Sequence, residues 1–251
     1  MNVVQTLTGR RSRNRAVRHE GYLATALRIA TEEGLHAVTM QRLAAELDCA
    51  VGTVYTYFPS KSALVAEVQQ QAIERLTRSF GQLRAELDDV VADEASAVQA
   101  LTRVVAVARF WINIGRVYPQ ETRLLQLLMS QGEQALSPED VVRVAPGALR
   151  HLELAREAIA AAIDSDALSP GIAMDRTVTL VAAINGVLQV GRLAHLDPVL
   201  LDGERLAAAL VDDLLRGWGA DLGRLAAAHT HVDALAARGP LARPIPETDQ
   251  P

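Results

Sequence analysis

Hydroxyl, aromatic and basic side chains cluster in the first quarter of the chain. Thr53, Tyr55 and Tyr57 lie within five residues of one another, and Lys61 follows four residues later. Hydroxyl and ammonium groups donate hydrogen bonds to phosphate oxygens, whereas carboxylates at these places would be repelled by phosphate. Gly52 would let the backbone come close to a base edge, because it has no side chain. Together these residue types predict a surface that contacts DNA.

Two short helices joined by a tight turn must position these side chains. The sequence predicts a first helix over residues 39–47, in which the Thr39 hydroxyl accepts an amide of the first turn. A turn follows at residues 48–50, and a second helix covers residues 51–57 and ends before Pro59. This layout is a helix-turn-helix, whose second helix enters a DNA major groove about 12 Å wide.

Apolar residues at helical spacing predict how these two helices pack. They would share a core with a preceding helix over residues 14–33, which Gly34 caps. The residues expected in this core are Ile29, Leu43, Ala44, Leu47, Val54 and Phe58. A plain helical hairpin packed against the rest of the chain is the simpler alternative. Such a hairpin would not need an outward row of hydroxyl and aromatic groups.

The segment resembles the DNA-binding domain of the tetracycline-repressor (TetR) family of bacterial regulators. The residues that carry the resemblance are Thr39, Leu43, Ala44, Gly52-Thr53-Val54-Tyr55, Tyr57-Phe58 and Ser60-Lys61-Ser62-Ala63-Leu64. The resemblance covers about residues 17–65. The rest of the chain is similar to the family only in its helical pattern and its length.

The resemblance implies a role for each matched residue at a DNA surface. Thr39, Tyr57 and Lys61 would hold the phosphate backbone. Five residues would face base edges or the adjoining backbone: Gln41, Val51, Gly52, Thr53 and Tyr55. Thr56 lies on the same outward face. The charge of Lys61 gains nothing from the dipole at a helix N-terminus, so a phosphate partner would explain this residue.

Three residues depart from the pattern that is common in this family. Asp48 and Ala50 stand in the turn where Gly and Ser are frequent, and Val51 stands where a polar residue is frequent. Asp tolerates a left-handed conformation, so we expect the turn to survive. Ala50 cannot cap the second helix, and Val51 would contact a thymine methyl.

Positive charge is concentrated at the start of the chain. The formal net charge is −5 overall, but residues 1–19 contain five arginines and no acid. A basic N-terminal segment on an otherwise acidic chain is typical of a protein that binds phosphate at one end. We therefore expect a disordered basic arm over residues 1–12, followed by Arg13 and Arg15 at the DNA. A merely solvated tail is the alternative.

The predicted fold is all-α, with an N-terminal three-helix, helix-turn-helix domain and a C-terminal helical domain for ligand binding and dimerisation. Further helices are predicted at 60–87, 95–117, 120–131, 147–164, 171–196, 203–217 and 219–238. The predicted segments are a disordered arm over 1–12, a DNA-binding domain over 13–60, a ligand-binding and dimerisation domain over 61–238 and a disordered tail over 239–251.

An apolar pocket and a dimer interface are predicted in the second domain. Surplus apolar residues suggest a pocket for a small hydrophobic effector, with a long apolar molecule as the first choice. The predicted lining is Val107, Phe110, Trp111, Asn113, Ile114, Leu124, Leu125, Leu128, Met129, Met174 and Val178. The resemblance implies that the helices at 171–196 and 203–217 form a homodimer. The interface residues would be Val181, Asn185, Leu188, Gln189, Arg192, Val211, Leu214 and Leu215.

Other classes of function have weaker support. The chain lacks the zinc-protease, nucleophile-elbow and phosphate-loop motifs, so we predict no enzyme, no cofactor and no metal site. A DNA-binding dimer without a small-molecule effector stays open, either constitutive or redox-sensing through Cys49. That single cysteine permits no internal disulfide, and the N-terminus has no apolar run of a signal peptide, which favours a cytoplasmic location.

Overall fold

The structure is a computed structural model, which describes the backbone of residues 3–244 and the side chains of residues 13–129 and 136–244. Within these residues the chain forms ten α-helices and no strand. The helices are α1 Val3–Glu33, α2 Met40–Glu46, α3 Val51–Tyr55, α4 Lys61–Val90, α5 Ser96–Val117, α6 Pro119–Ala135, α7 Pro138–Asp164, α8 Ala173–Val190, α9 Gly203–Gly217 and α10 Leu222–Ala236. A single 3₁₀ turn, Gly191–Leu193, follows α8. The all-α prediction is confirmed.

The chain divides into two compact units. The amino-terminal unit contains Met1–Glu74 and Gln120–Gly147, and the body unit contains Arg75–Pro119 and Ala148–Pro251. The sequence predicted a single boundary near residue 60. The amino-terminal unit is larger than this, because it also contains the first part of α4, nearly all of α6 and the start of α7.

Two helices begin earlier than the sequence predicted. The first starts at Val3 rather than near residue 14, although the side chains of residues 3–12, and with them most of the basic arm, lie outside the described part. The seventh starts at Pro138 rather than 147 and continues through Pro146. Pro138 suits the first position of a helix, and the Ser137 hydroxyl caps that turn by accepting the Asp140 amide at 3.2 Å.

One hydrophobic core holds the amino-terminal unit together. Ile29, Leu43, Val54 and Phe58 are fully buried in it, as the spacing predicted. Leu47 is 36% exposed, because it lies at the C-cap of α2 where the helix face turns towards solvent. The α6 residues Leu124 and Leu128, predicted to line an effector pocket, are part of this core instead.

In the body unit α5 is the central helix. α8, α9 and α10 all pack against it. By length and composition this helix could span a membrane, but 67% of its apolar window is buried inside the protein. Its apolarity therefore reflects a position in a protein core, where a helix is hydrophobic on all sides.

The segment after α10 is ordered as far as it is described, which corrects the prediction of a tail that is disordered from residue 239. Leu241 and Ala242 are buried. The backbone of Arg243 exchanges two hydrogen bonds of 3.1 Å with the Ser79 hydroxyl, and its guanidinium lies 2.6 Å from Glu86. These contacts fasten the segment to α4. Residues 245–251 lie outside the described part.

Candidate nucleic-acid interface

The N-terminus of α2 is capped as the sequence predicted. Thr39 is extended and half-buried, and its Oγ1 accepts the amide of Arg42 at 3.0 Å. The hydroxyl proton of Thr39 stays available to an acceptor such as phosphate. Gln41 is exposed on the same first turn of the helix.

The turn between α2 and α3 has the conformation that its unusual residues predicted. Asp48 adopts a left-handed φ of 47°, which Asp tolerates better than most residues. Ala50 is the N-cap of α3 and makes no side-chain hydrogen bond there. The amide of Cys49 instead bonds the Ala44 carbonyl at 3.0 Å, which closes the turn through the backbone.

The outward face of α3 is apolar and hydroxylic and has no acidic side chain. Val54 points into the core, while Gly52 is exposed and Tyr55 is 50% exposed. The hydroxyl of Thr56 donates to the Thr53 carbonyl at 2.6 Å. That bond uses the only proton of this hydroxyl, so Thr56 faces a partner as an acceptor and cannot also donate to phosphate.

Tyr57 joins α3 to α1 through an aromatic cluster. Its ring centre lies 5.0 Å from that of Tyr22 and 6.2 Å from that of His19. The guanidinium carbon of Arg15 is 5.5 Å from the centre of the Tyr57 ring, a cation–π distance. The ring is therefore held in place before any partner binds.

A surface depression beside Tyr57 extends the interface beyond the predicted residues. Its lining residues are Asn14, Arg15, Arg18, Thr56 and Tyr57. The side chains of Arg13, Arg15 and Arg18 are all exposed. Sequence reasoning assigned Arg13 and Arg15 to DNA but gave no such role to Asn14 or Arg18. The helical spacing from 14 to 18 places these two on one face, a signal that was present in the sequence.

Lys61 has a partner within the protein. Its Nζ donates to the Leu35 carbonyl at 2.8 Å, and burial lowers the pKa of its ammonium. A phosphate partner was inferred from the position of Lys61, but the Leu35 carbonyl already accounts for that position. An ammonium has three donors, so two remain for another acceptor.

Four ion pairs lie on α1 and α2, and two of them, Arg28–Glu46 and Arg42–Glu33, connect the two helices. Arg28 lies 2.6 Å from Glu46 and 2.9 Å from Glu32, and Arg42 lies 2.7 Å from Glu46 and 3.1 Å from Glu33. Each pair is solvent-accessible and contributes little to stability alone, but the shared carboxylate of Glu46 makes them a network. Arg28 and Arg42 are thereby turned towards glutamates of their own unit.

The body unit contains a cavity of about 170 Å³ between α4, α5 and α7. Its apolar walls include Phe80, Leu87, Val107 and Leu154. Two ion pairs also contribute to its lining, Arg84–Glu157 at 2.7 Å and Arg103–Asp88 at 2.9 Å. Of the residues predicted to line a pocket, only Val107 lines this one.

The other predicted pocket residues are dispersed. Phe110 and Ile114 are buried in the body, and Trp111, Asn113 and Met174 are half-buried. Leu124, Leu125, Leu128 and Met129 belong to the amino-terminal unit. Met129 is 74% exposed there, and Val178 on α8 is also exposed, so neither is enclosed in the protomer. The apolar pattern could not distinguish a cavity wall from ordinary core or from an outer surface.

The predicted dimer residues separate into buried and accessible groups. Val211 and Leu215 on α9 are buried within the protomer, which corrects their assignment to an interface. The accessible or half-buried ones are Val181, Asn185, Leu188, Gln189, Arg192 and Leu214. Large apolar side chains are exposed after α8, at Leu193, Leu196, Val199 and Leu200. Sequence reasoning did not single out this last group.

No cluster of metal-ligating side chains occurs among the described residues. His229 and His231, the closest histidines in sequence, pair separately with Asp212 at 2.8 Å and with Glu94 at 3.1 Å.

Comparisons with known proteins agree with the helix-turn-helix geometry. The model of the tetR family of bacterial regulatory proteins matches residues 23–68. Residues 23–68 are therefore a DNA-binding domain of the TetR type. The HTH-type transcriptional repressor KstR of Mycolicibacterium smegmatis is 41% identical over 59 residues, which are 24% of this chain and 29% of that protein. The match therefore spans less than a third of that relative.

A solved structure extends the likeness in fold beyond the DNA-binding domain. The TetR family transcriptional regulator PfmR from Thermus thermophilus aligns with a TM-score of 0.55 and 22% identity. The alignment covers 78% of this chain and 97% of PfmR. The likeness in fold thus includes helices of the second domain.

Proposed function

We propose that this TetR-type chain is a cytoplasmic, homodimeric transcriptional regulator that binds a partly palindromic operator through α3. The observation that carries the proposal is the acid-free face of α3 beside an arginine-lined depression. Gly52 and Tyr55 face outward where a major groove would lie, and Arg15, Arg18 and Tyr57 lie where a phosphate strand would pass.

Selection of bound duplexes from a random DNA pool, followed by titration of the enriched site, tests this proposal. We expect a site with two related half-sites and an affinity that falls steeply with salt. Binding without any sequence preference, or no binding at low salt, would contradict the proposal.

A second copy of the chain is needed to read two half-sites. Half-sites separated by one DNA turn lie about 34–36 Å apart, and one α3 reaches only one of them. The exposed apolar side chains after α8, at Leu193, Leu196, Val199 and Leu200, suit an interface between two copies. The accessible α8 residues Val181, Asn185 and Leu188 would extend the same interface.

Sedimentation of variants tests the proposed interface. Leu196→Glu places a charge within the exposed apolar group, and we expect it to convert dimers to monomers. The matched control is Leu222→Glu, which alters a leucine that is also exposed but lies at the start of α10. Equal dimerisation of the wild type and Leu196→Glu would exclude this group from the interface.

The body cavity is the proposed effector site, and its size limits the effector. Apolar protein cavities near 150 Å³ are known to admit benzene, so a volume of about 170 Å³ has room for one ring or a chain of about six carbons. This favours a small apolar molecule over the long one that composition first suggested. In the mechanism usual for the family, the effector shifts α4, changes the separation of the two α3 helices and releases the operator, which makes the protein a repressor.

Ligand-induced thermal stabilisation of the full chain tests the size limit. We expect indole, benzoate and hexanoate to stabilise the protein more than palmitate or cholesterol does. Ala158→Leu should abolish that response because Ala158 lines the cavity, and Ala92→Leu, at an exposed alanine, should leave it unchanged. Stabilisation by palmitate or cholesterol alone would reject the size limit. No response to any of them would favour the alternative of a DNA-binding dimer without a small-molecule effector.

A redox role for Cys49 is the second form of that alternative. Cys49 is half-buried, and its Sγ lies 3.6 Å from the phenol oxygen of Tyr22. Operator affinity that is equal before and after peroxide treatment would exclude such a role.

A further inference from the structure

A buried carboxylate joins the first turn of α4 to the first turn of α7. Asp140 is almost fully buried, and it accepts hydrogen bonds from the hydroxyls of Ser62 and of Ser137, the latter at 2.8 Å. The guanidinium of Arg143 pairs with its other oxygen. The Ser137 amide also donates to the Ser62 hydroxyl oxygen at 2.7 Å. We call these four residues the Asp140 network.

The Asp140 network is charged and well satisfied. Hydrogen bonds from Ser62 and Ser137 and the charge of Arg143 lower the pKa of Asp140, although burial acts in the opposite direction. The carboxylate is therefore ionised at neutral pH. The buried carboxylate of Asp140 fixes the position of Ser62, because moving Ser62 away would leave lone pairs of the carboxylate without hydrogen-bond partners.

The same turn of α4 is attached to the helix-turn-helix on its other side. Lys61 donates to the Leu35 carbonyl at 2.8 Å, and Ser60 Oγ accepts the Ala63 amide at 3.0 Å. α3 ends at Tyr55, a few residues before this turn. The three consecutive residues Ser60, Lys61 and Ser62 thus connect the DNA-facing helices to α7.

α4 and α7 are also two of the helices that line the body cavity. Phe80 and Leu83 come from α4, and Leu154 and Ala158 come from α7. A ligand that changes the spacing of these helices in the body would act on the same pair of helices that the Asp140 network joins in the amino-terminal unit.

We propose that Asp140 is a positioning residue that holds the first turn of α4 in the orientation required for specific operator binding, and that α7 thereby acts with α4 in coupling the body to α3. The inference rests on the proposed function, since it concerns how specific DNA binding is achieved. Asp140 itself need not touch DNA.

Two substitutions remove the contact in different ways. Asp140→Asn keeps the size of the side chain but loses its charge and one acceptor, and Ser62→Ala deletes a single hydroxyl. We expect each variant to lose about tenfold in affinity for the selected operator, and to keep its affinity for unrelated DNA because no phosphate contact is altered. A general loss of stability would lower both affinities together. Ser62→Thr, which keeps the hydroxyl, should restore specific binding.

Hydrogen exchange with operator DNA as the probe measures the coupling directly. In the wild type we expect the operator to slow exchange in residues 138–144 as well as in the helix-turn-helix. In Asp140→Asn the protection of residues 138–144 should be lost while that of the helix-turn-helix persists. Asp164→Asn, at an exposed aspartate at the other end of α7, is the matched control and should behave as the wild type does.

The outcomes separate this proposal from the proposed function. If Asp140→Asn and Ser62→Ala keep the wild-type ratio of specific to non-specific affinity and the wild-type protection, Asp140 has no positioning role. If Asp140→Asn fails to fold, the ratio for Ser62→Ala and its rescue by Ser62→Thr decide the question. A wild-type protein without any site preference would overturn the proposed function, and this inference with it.

Discussion

The guanidinium of Arg15 lies over the ring of Tyr57, with 5.5 Å between the guanidinium carbon and the ring centre. This contact connects α1 to Tyr57, the second residue after α3. It places a positive charge beside the α3 face. Among the described residues Arg15 forms no ion pair with a carboxylate, so the guanidinium retains donors for phosphate. The first helix therefore contributes to the proposed DNA surface as well as to its support.

Replacing the α1 arginines should weaken DNA binding and make the affinity depend less on salt concentration. Because each phosphate contact contributes about 0.9 to the slope of log affinity against log salt, Arg15→Gln and Arg18→Gln should each reduce the slope by about that amount. Titrations of one operator at several salt concentrations measure this. Arg216→Gln, at an exposed arginine of the body, is the control. An unchanged slope in the double variant would remove α1 from the interface.

Substituting Gly52 should separate DNA affinity from stability. A Cβ built on Gly52 meets nothing within 4 Å, and alanine favours helix over glycine by up to about 1 kcal/mol. We therefore expect Gly52→Ala to fold as well as the wild type or better, yet to bind the operator at least about tenfold more weakly, because the methyl group would lie between α3 and the bases. Urea unfolding and operator titration give the two quantities. Gly81→Ala, also without a neighbour within 4 Å, should change neither binding nor specificity.

The close approach of the 3₁₀ turn after α8 to the start of α9 should make stability sensitive to a single methyl group. A Cβ on Gly203 would lie 2.9 Å from the Cα of Gly191, and that neighbour is backbone that cannot rotate away. We expect Gly203→Ala to lower the free energy of unfolding by about 1–3 kcal/mol, as overpacking does. Gly217→Ala, at the open end of the same helix, should cost little. Equal urea midpoints for the two variants would contradict the close approach.

Acid should destabilise the body through His151. Its Nδ1 lies 3.1 Å from the Thr77 hydroxyl, its ring centre lies 4.8 Å from that of Trp111, and its Nε2 is buried without a hydrogen-bond partner among the described residues. Burial lowers the pKa of His151 from 6.5 to about 4. The unfolded chain therefore takes up the proton first, so stability is full above pH 6.5 and is lost as the pH falls towards 4.

The size of this effect follows from the shift. Each unit of pKa difference is worth about 1.4 kcal/mol, so the total loss is at most roughly 3 kcal/mol. Urea unfolding between pH 7.5 and 4.5 measures this loss of stability. Carboxylates titrate in the wild type and in the variants alike, so their contribution cancels when the free energies of unfolding of the two proteins are subtracted. His151→Gln should reduce the change in the free energy of unfolding with pH. His195→Gln, at an exposed histidine, should leave that change as it is in the wild type. Parallel curves for the wild type and His151→Gln would show that His151 is not held neutral.

The helix-turn-helix could be predicted from the sequence because its determinants are local. The cap at Thr39, the left-handed Asp48 and the core contributed by Leu43, Val54 and Phe58 all depend on residues within a few turns of one another. Propensity, capping and periodicity report such relations directly. The match to the TetR family over residues 23–68 covers the same local segment.

The partners of Lys61 and Ser62 could not be predicted in this way. Lys61 bonds a carbonyl 26 residues away, and Ser62 bonds a carboxylate 78 residues away. The local sequence pattern does not distinguish a lysine that is available to bind phosphate from one whose ammonium already has an acceptor within the protein. Hydrogen bonds between distant segments exist only once the chain has packed.

The effector site and the dimer interface in the apolar body could not be predicted from the local pattern either. Helical periodicity identified Leu124, Met129 and Leu215 as apolar helix positions, but periodicity does not say what covers an apolar face. Leu124 lies in the core of the amino-terminal unit, Met129 lies on its surface, and Leu215 lies in the core of the body unit. The sequence by itself determined most of the helices and the residue types on the proposed DNA surface, because both follow from residue type and local spacing. Only the tertiary structure decided which apolar faces enclose a cavity, which stay exposed and which distant side chains hold α4, because burial depends on how whole helices pack.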